Sequence, residues 1–164
     1  MKRQIKRYIL LAMLGLVMAS PASAEGWIFG ANTGTMHIDD PDASDPRNVG
    51  FMAGYEIGIG LGDLAFEGEI TRTTSDGDLF GNALKVETEA LYVALRTAGP
   101  IYFKGRMGTL QEKIKVASDP DSPYTESGTS MGVGVGFSLG LVQLELDFTQ
   151  IEADVTYVSL GVVF

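Results

Sequence analysis

The chain has 164 residues, a length that suits one domain, with 12 basic residues, 21 acidic ones, no cysteine and a formal net charge of −9. That balance excludes a nucleic-acid partner, because phosphate contacts need basic side chains. The lack of cysteine excludes thiol chemistry and a lipid anchor on an acylated cysteine, and it fits a chain exported to an oxidising compartment.

Residues 1–24 read as a cleavable signal peptide: Lys2, Arg3, Lys6 and Arg7 form a basic start, 8–19 an apolar run, and Ala22-Ser23-Ala24 an A-x-A cleavage site. The run is too short to span a bilayer comfortably. Its removal takes four basic residues and no acidic ones, so 25–164 carries eight against 21, a net of −13. No later stretch is long and apolar enough for a transmembrane helix. A membrane form must therefore be a closed sheet, the other structure that satisfies its own backbone in lipid.

Eight alternating segments follow, over 27–38, 49–61, 64–74, 84–97, 101–117, 131–139, 142–150 and 155–164. The clearest is 131–148, MGVGVGFSLGLVQLELDF, a hairpin with one greasy face and one small-or-charged face. Gly62-Asp63, Gly99-Pro100 and Gly140-Leu141 are expected to be tight turns. Longer polar loops (39–48, 75–83, 118–130) and a short one at 152–154 alternate with them. Short turns at one end and long loops at the other predict an all-β domain over 25–164, a closed antiparallel eight-stranded up-and-down transmembrane β-barrel.

A soluble barrel or sandwich would alternate equally well with its faces exchanged, and three features favour the greasy face as the outer one. Gly54, Gly58, Gly60, Gly132, Gly134 and Gly136 lie on the other face, as interior crowding would demand. Trp27, Phe29, Phe66, Phe103, Phe137 and Phe164 share the greasy parity near the short-turn end, like an interfacial aromatic girdle, with Phe51, Tyr55 and Phe148 expected higher. Glu56, Glu67, Glu69, Arg96, Lys104, Arg106, Glu145 and Asp147 share the opposite parity at comparable heights. Unpaired buried charge costs several kcal/mol, so an interior aligns its ions and a solvated face does not. Strands two apart are separated by about 10 Å. Lys104 and Arg106 are thus expected to reach over the glycines of 132–136 to Glu145 and Asp147. An eight-stranded interior is just filled by side chains, so this belt reads as a plug rather than a pore lining. Arg72 and Glu89 fall on the greasy parity near the loop end, where they are expected to pair across strands; strand four then faces Leu91, Val93 and Leu95 outward, and Tyr92, Ala94 and Arg96 inward.

On these features residues 25–164 resemble the small outer-membrane β-barrel proteins of Gram-negative bacteria, the group of OmpX-like proteins and the OmpA transmembrane domain. The most specific element is the last strand, TYVSLGVVF, with Val158, Leu160, Val162 and Phe164 on one parity. It is similar to the C-terminal signal that the barrel assembly machinery reads in this family. The family's signal has a second aromatic near Val162 and a glycine near Ser159, whereas here the glycine is Gly161. The resemblance implies location in the cell outer membrane, contact with membrane lipid and lipopolysaccharide, and a monomer without cofactor. It implies no single activity.

Chemistry in the chain would rest on His37, the sole histidine, with Ser75 and Asp76 at a similar height, and Ser44 and Asp45 in the first loop. Outer-membrane palmitoyltransferases and deacylases that act on lipid A use a histidine and a serine with an acid nearby. The bland alternative is a surface histidine beside acidic loops. Those loops lack the EF-hand spacing, so no dedicated metal site is expected; solvated loops bridged by divalent cations to lipopolysaccharide phosphates are the reading, and a specific calcium site is the alternative. The GxGxG runs lie within strands, with no helix following, and do not signal nucleotide binding. The reading is a non-enzymatic barrel with a structural or surface-interaction role, in envelope integrity or adhesion. A narrow porin-like channel and the lipid A enzyme are the alternatives.

Overall fold

A computed structural model describes residues 25–117, 119, 121–152 and 154–164. The segment read as a signal peptide lies outside the described residues. Ten strands run in chain order: β1 (Gly26–Ile38), β2 (Ala43–Ser44), β3 (Arg47–Gly58), β4 (Gly62–Ser75), β5 (Gly77–Leu79), β6 (Asn82–Thr97), β7 (Ile101–Val116), β8 (Tyr124–Leu139), β9 (Val142–Glu152) and β10 (Val155–Val163). Eight of them close an antiparallel up-and-down barrel. Each pairs with its sequence neighbour, and β1 closes on β10 from Gly30↔Val163 to Ile38↔Val155. Phe164 extends this seam, its backbone exchanging hydrogen bonds of 2.8 and 3.1 Å with Phe29. Closure leaves no unpaired sheet edge within the membrane-crossing part, as hydrocarbon requires.

The short β2 and β5 pair with each other outside the barrel, and β5 joins the upper end of β6. With the upper halves of β6, β7 and β8 they form a lip beyond the apolar part of the wall. Residues 124–130, expected in a loop, continue β8 and pair with Gly108–Ile114 of β7. Their sequence, YTESGTS, lacks alternation because both faces there are exposed except at Ser130. The first tight turn also differs from expectation. It lies at 59–61, closed by the Ile59 N–H donating to the Gly62 carbonyl at 2.9 Å. Gly60 has φ +82 there, so it serves the turn rather than interior crowding.

The faces divide cleanly. Outward on the wall stand Phe51, Tyr55, Leu91, Val93, Phe103, Val133, Leu146 and Leu160, all exposed. Above them the outward positions turn polar on strand after strand: Thr33, Arg72, Glu89, Thr109, Thr129, Gln150 and Thr156. From Phe51 to Gly58 the apolar band on β3 rises about 18 Å at ~3.4 Å per residue and ~40° of tilt, and the exposed Ile59 and Leu61 of the turn extend it toward the ~25 Å of outer-membrane barrels. An uninterrupted apolar belt of that size far exceeds the patches that monomers expose to water.

Candidate functional site

Inward positions stack in layers. The lowest combines Glu56 and Asp63 on β3 and β4 with Arg96, Tyr102, Ser138 and Gln143. Next come Glu67, Lys104, Glu145 and Asp147, then Glu69 and Arg106. The belt's charged side chains are buried apart from the half-buried Asp63, with Glu67 at 2 %, Lys104 at 4 % and Asp147 at 7 % exposure. Arg96 is the hub, with Glu56 at 3.0 Å, Glu67 at 2.5 Å and Glu145 at 3.0 Å. Lys104 Nζ sits 2.7 Å from Glu145, 3.4 Å from Asp147 and 3.6 Å from Glu67.

Arg106 departs from the sequence expectation. Instead of Glu145 or Asp147 it meets Glu69 at 3.0 Å, donates to Thr149 Oγ1 at 2.6 Å, and stacks 4.4 Å from the Tyr92 ring centroid. Parity fixes the face and approximate height of Arg106, but the shear and tilt of the strands decide which acid lies within its reach.

The glycine floor on β8 accommodates these groups. A side chain at Gly132 would press on the Arg106 stem at 3.1 Å; at Gly134 it would meet Asp147; at Gly136 it would enter the Tyr102 ring. Tyr102, missed in the sequence reading, lies 2.8 Å from both Gln143 Oε1 and Glu145 Oε1 through its hydroxyl. Its signal was its place two residues before Lys104 on the same face. Tyr157, also missed, donates to Asn32 Oδ1 at 2.8 Å, and Asn32 donates to Glu69.

Toward the loop end the interior changes character. Met36, Val86, Leu110, Ile151, Val155 and Tyr157 form a buried apolar cluster with Ala90 and Tyr92. Beside it Asn48 donates to the Val86 carbonyl at 2.6 Å, and the Thr71 and Thr88 hydroxyls bond at 2.9 Å. An apolar plug thus caps the charged belt. Sequence reasoning missed it, although Leu84, Val86, Leu110 and Ile151 reverse the parity rule near the loop end.

The aromatic positions stand outward: Trp27 at 72 % and Phe103 at 69 % are well exposed, and Phe29, Phe66, Phe137 and Phe164 are also exposed. Tyr55, expected higher, lies opposite Trp27 and Phe66 in register and packs edge-on against Trp27 at 5.7 Å. On β10, Val158, Leu160 and Val162 face outward with Phe164. Arg72 and Glu89 pair at 2.6 Å on the exterior.

His37 Nδ1 lies 2.9 Å from Asp45 Oδ2. Asp76 pairs with Lys85 at 3.5 Å, and Ser75 ends β4 in register with Arg47, so the three residues do not form one constellation. Ser44 Oγ accepts from the Asp78 N–H at 2.8 Å. At the start of β8 the Tyr124 hydroxyl donates to Asp119 of the third loop, holding that carboxyl below its usual pKa. Among the described residues no three His, Asp or Glu side chains converge closely enough to hold a metal ion.

Several solved structures share this architecture. Neisserial surface protein A (NspA) matches at 17 % identity and TM-score 0.62, covering 84 % of this chain and 96 % of its own. Ail, the attachment invasion locus protein of Yersinia pestis, matches at 15 % and 0.56, covering 85 % and 97 %. The N-terminal β-barrel domain of Pseudomonas aeruginosa OprF matches at 14 % and 0.54, covering 85 % and 97 %. At such identities the likeness is one of fold. No curated protein matches the sequence. The family model of the outer membrane protein beta-barrel domain matches residues 9–162, nearly the whole chain, and the chain belongs to that family.

Proposed function

We propose that this protein is a non-catalytic, monomeric outer-membrane barrel whose role is structural and surface-interactive, serving envelope integrity or adhesion through its loop end. The single observation that carries the reading is the filled interior. A charged belt whose three cations, Arg96, Lys104 and Arg106, are each held by carboxylates lies under an apolar plug that includes Met36 and Tyr157, each 0 % exposed. Such a lumen offers no continuous aqueous path, which weighs against the channel alternative. What remains for function is the rim: the lip, the acidic first loop and the third loop. The fold shared with Ail, named for attachment and invasion, is in keeping with work done at that rim.

Export by the leader at 1–24 and delivery through the assembly machinery, with Val158, Leu160, Val162 and Phe164 presented on one face, belong to the same proposal. So does contact with lipopolysaccharide. Of the five exterior Lys and Arg side chains among the described residues, Arg72, Lys85, Lys113 and Lys115 stand on β4, β6 and β7 above the apolar band, and Arg47 is on neighbouring β3. Lys85 and Lys115 are directly opposed in register, and each also holds a carboxylate, Asp76 at 3.5 Å and Glu87 at 2.8 Å.

The test is electrical recording of the refolded protein in planar bilayers, alongside binding of expressing cells to a host-cell layer. The proposal expects no discrete conductance steps, and binding that drops when 118–130 is replaced by a short turn. Regular conductance steps in the intact protein would overturn it in favour of a channel.

A further inference from the structure

The charged belt is short of positive charge. Six inward carboxylates (Glu56, Asp63, Glu67, Glu69, Glu145 and Asp147) share three cations, Arg96, Lys104 and Arg106. An amino terminus freed at Glu25 would add one positive charge and still leave a deficit. The apolar cluster closes the belt from the loop end. At the short-turn end it opens into a cavity of about 270 Å³ whose wall includes Glu56, Asp63, Arg96, Ser138 and Gln143.

Two oxygens of that wall, Asp63 Oδ1 and Ser138 Oγ, are buried without a hydrogen-bond partner. Ser138 as a whole is only 5 % exposed. Asp63 and Glu56 occupy neighbouring inward positions, since Glu56 lies opposite Ala65, two residues from Asp63. Arg96 stands opposite Asp63 in register, yet its three nitrogens are directed to Glu56, Glu67 and Glu145.

We propose that this cavity is a binding site for a hydrated divalent cation of the calcium–magnesium class, entering from the short-turn end. Such ions take hard oxygen ligands and readily keep part of their water shell. Two carboxylates, the Ser138 hydroxyl and the Gln143 amide oxygen supply hard oxygens. At ~30 Å³ per water, the cavity of about 270 Å³ holds an ion and several waters. No three carboxylates converge on it, so binding is weak, with Kd on the order of 10⁻⁴–10⁻³ M. The ion offsets the excess negative charge of the belt and brings a partner to the two orphaned oxygens.

The chain contains its own reporter. Trp27, the sole tryptophan, lines the mouth of the cavity, whereas the acidic loops lie at the opposite end of the barrel. Terbium, a calcium surrogate, emits on indole excitation only when bound close to the ring. Titrating terbium into the folded protein in micelles, with excitation through Trp27, is expected to give saturable emission that millimolar calcium displaces. Asp63→Asn should weaken it about tenfold, Ser138→Ala less, and the loop variant Asp42→Asn not at all. Each variant is checked for barrel integrity by its heat-modifiable gel mobility. Absence of Trp27-sensitised emission from folded protein, or emission unchanged by both Asp63→Asn and Ser138→Ala, would overturn the proposal.

Discussion

Arg96 donates to Glu56, Glu67 and Glu145 at once while nearly fully buried, so its loss strands three carboxylates in a narrow interior. Replacing one partner of a buried ionic cluster costs about 3–5 kcal/mol. Arg96→Met is therefore expected to lower stability by about that amount in urea unfolding from micelles. The exterior pair is a different case: Arg72 and Glu89 are both substantially exposed. Arg72→Gln should change stability by only about 0–1 kcal/mol in the same assay. If the two substitutions proved equally damaging, the inside–outside assignment of these residues would be wrong. Gly136→Leu should prevent recovery of the folded gel form, because the added side chain would occupy the place of the Tyr102 ring; refolding at normal yield would contradict the crowded floor. Much of this scale is legible in the sequence. The EGE of 67–69 puts both carboxylates on one face, and LYVALR of 91–96 sorts into exposed Leu91, Val93 and Leu95 against buried Tyr92, Ala94 and Arg96. Choice of partner is not legible, as Arg106 shows, because distance across a barrel depends on register and tilt rather than on alternation.

Among the elements, β8 has two different lives. From Met131 to Leu139 it is held between β7 and β9, whereas from Tyr124 to Ser130 it has β7 alone as a barrel neighbour. Amides in the upper half that point away from β7 should exchange with solvent within the fast-opening fraction, while those of 132–138 remain protected. Hydrogen exchange read by NMR in micelles distinguishes the two, and uniform protection along β8 would show that the lip is braced by something further. This half-strand was unreadable from sequence for a physical reason. Strand patterns report burial on one face, and a two-sidedly exposed strand has none to report. The apolar plug was missed for the converse reason, since Val86, Leu110 and Ile151 bury on the parity that lower down carries charge.

For the whole molecule, closure and inversion go together. A barrel with a continuous outward belt of apolar side chains has nowhere stable to put that belt except among acyl chains. The same closure lets ions pair inside, shielded from the acyl chains. The sequence carried this through its strand count, its turn and loop lengths and its final phenylalanine. The change from charged belt to apolar plug, on which a sealed lumen depends, is signalled only by the parity reversal at Val86, Leu110 and Ile151 near the loop end. The absence of native cysteine makes the inversion directly measurable. Single cysteines at Val158, Leu160 and Val162, and at the inward Ser159 and Val163, are labelled with a nitroxide in reconstituted bilayers. Accessibility to oxygen and to a water-soluble nickel complex is then read by electron paramagnetic resonance. The account predicts high oxygen and low nickel accessibility at 158, 160 and 162, and low accessibility to both reagents at 159 and 163. Nickel access at the outward positions, or no alternation along β10, would contradict it.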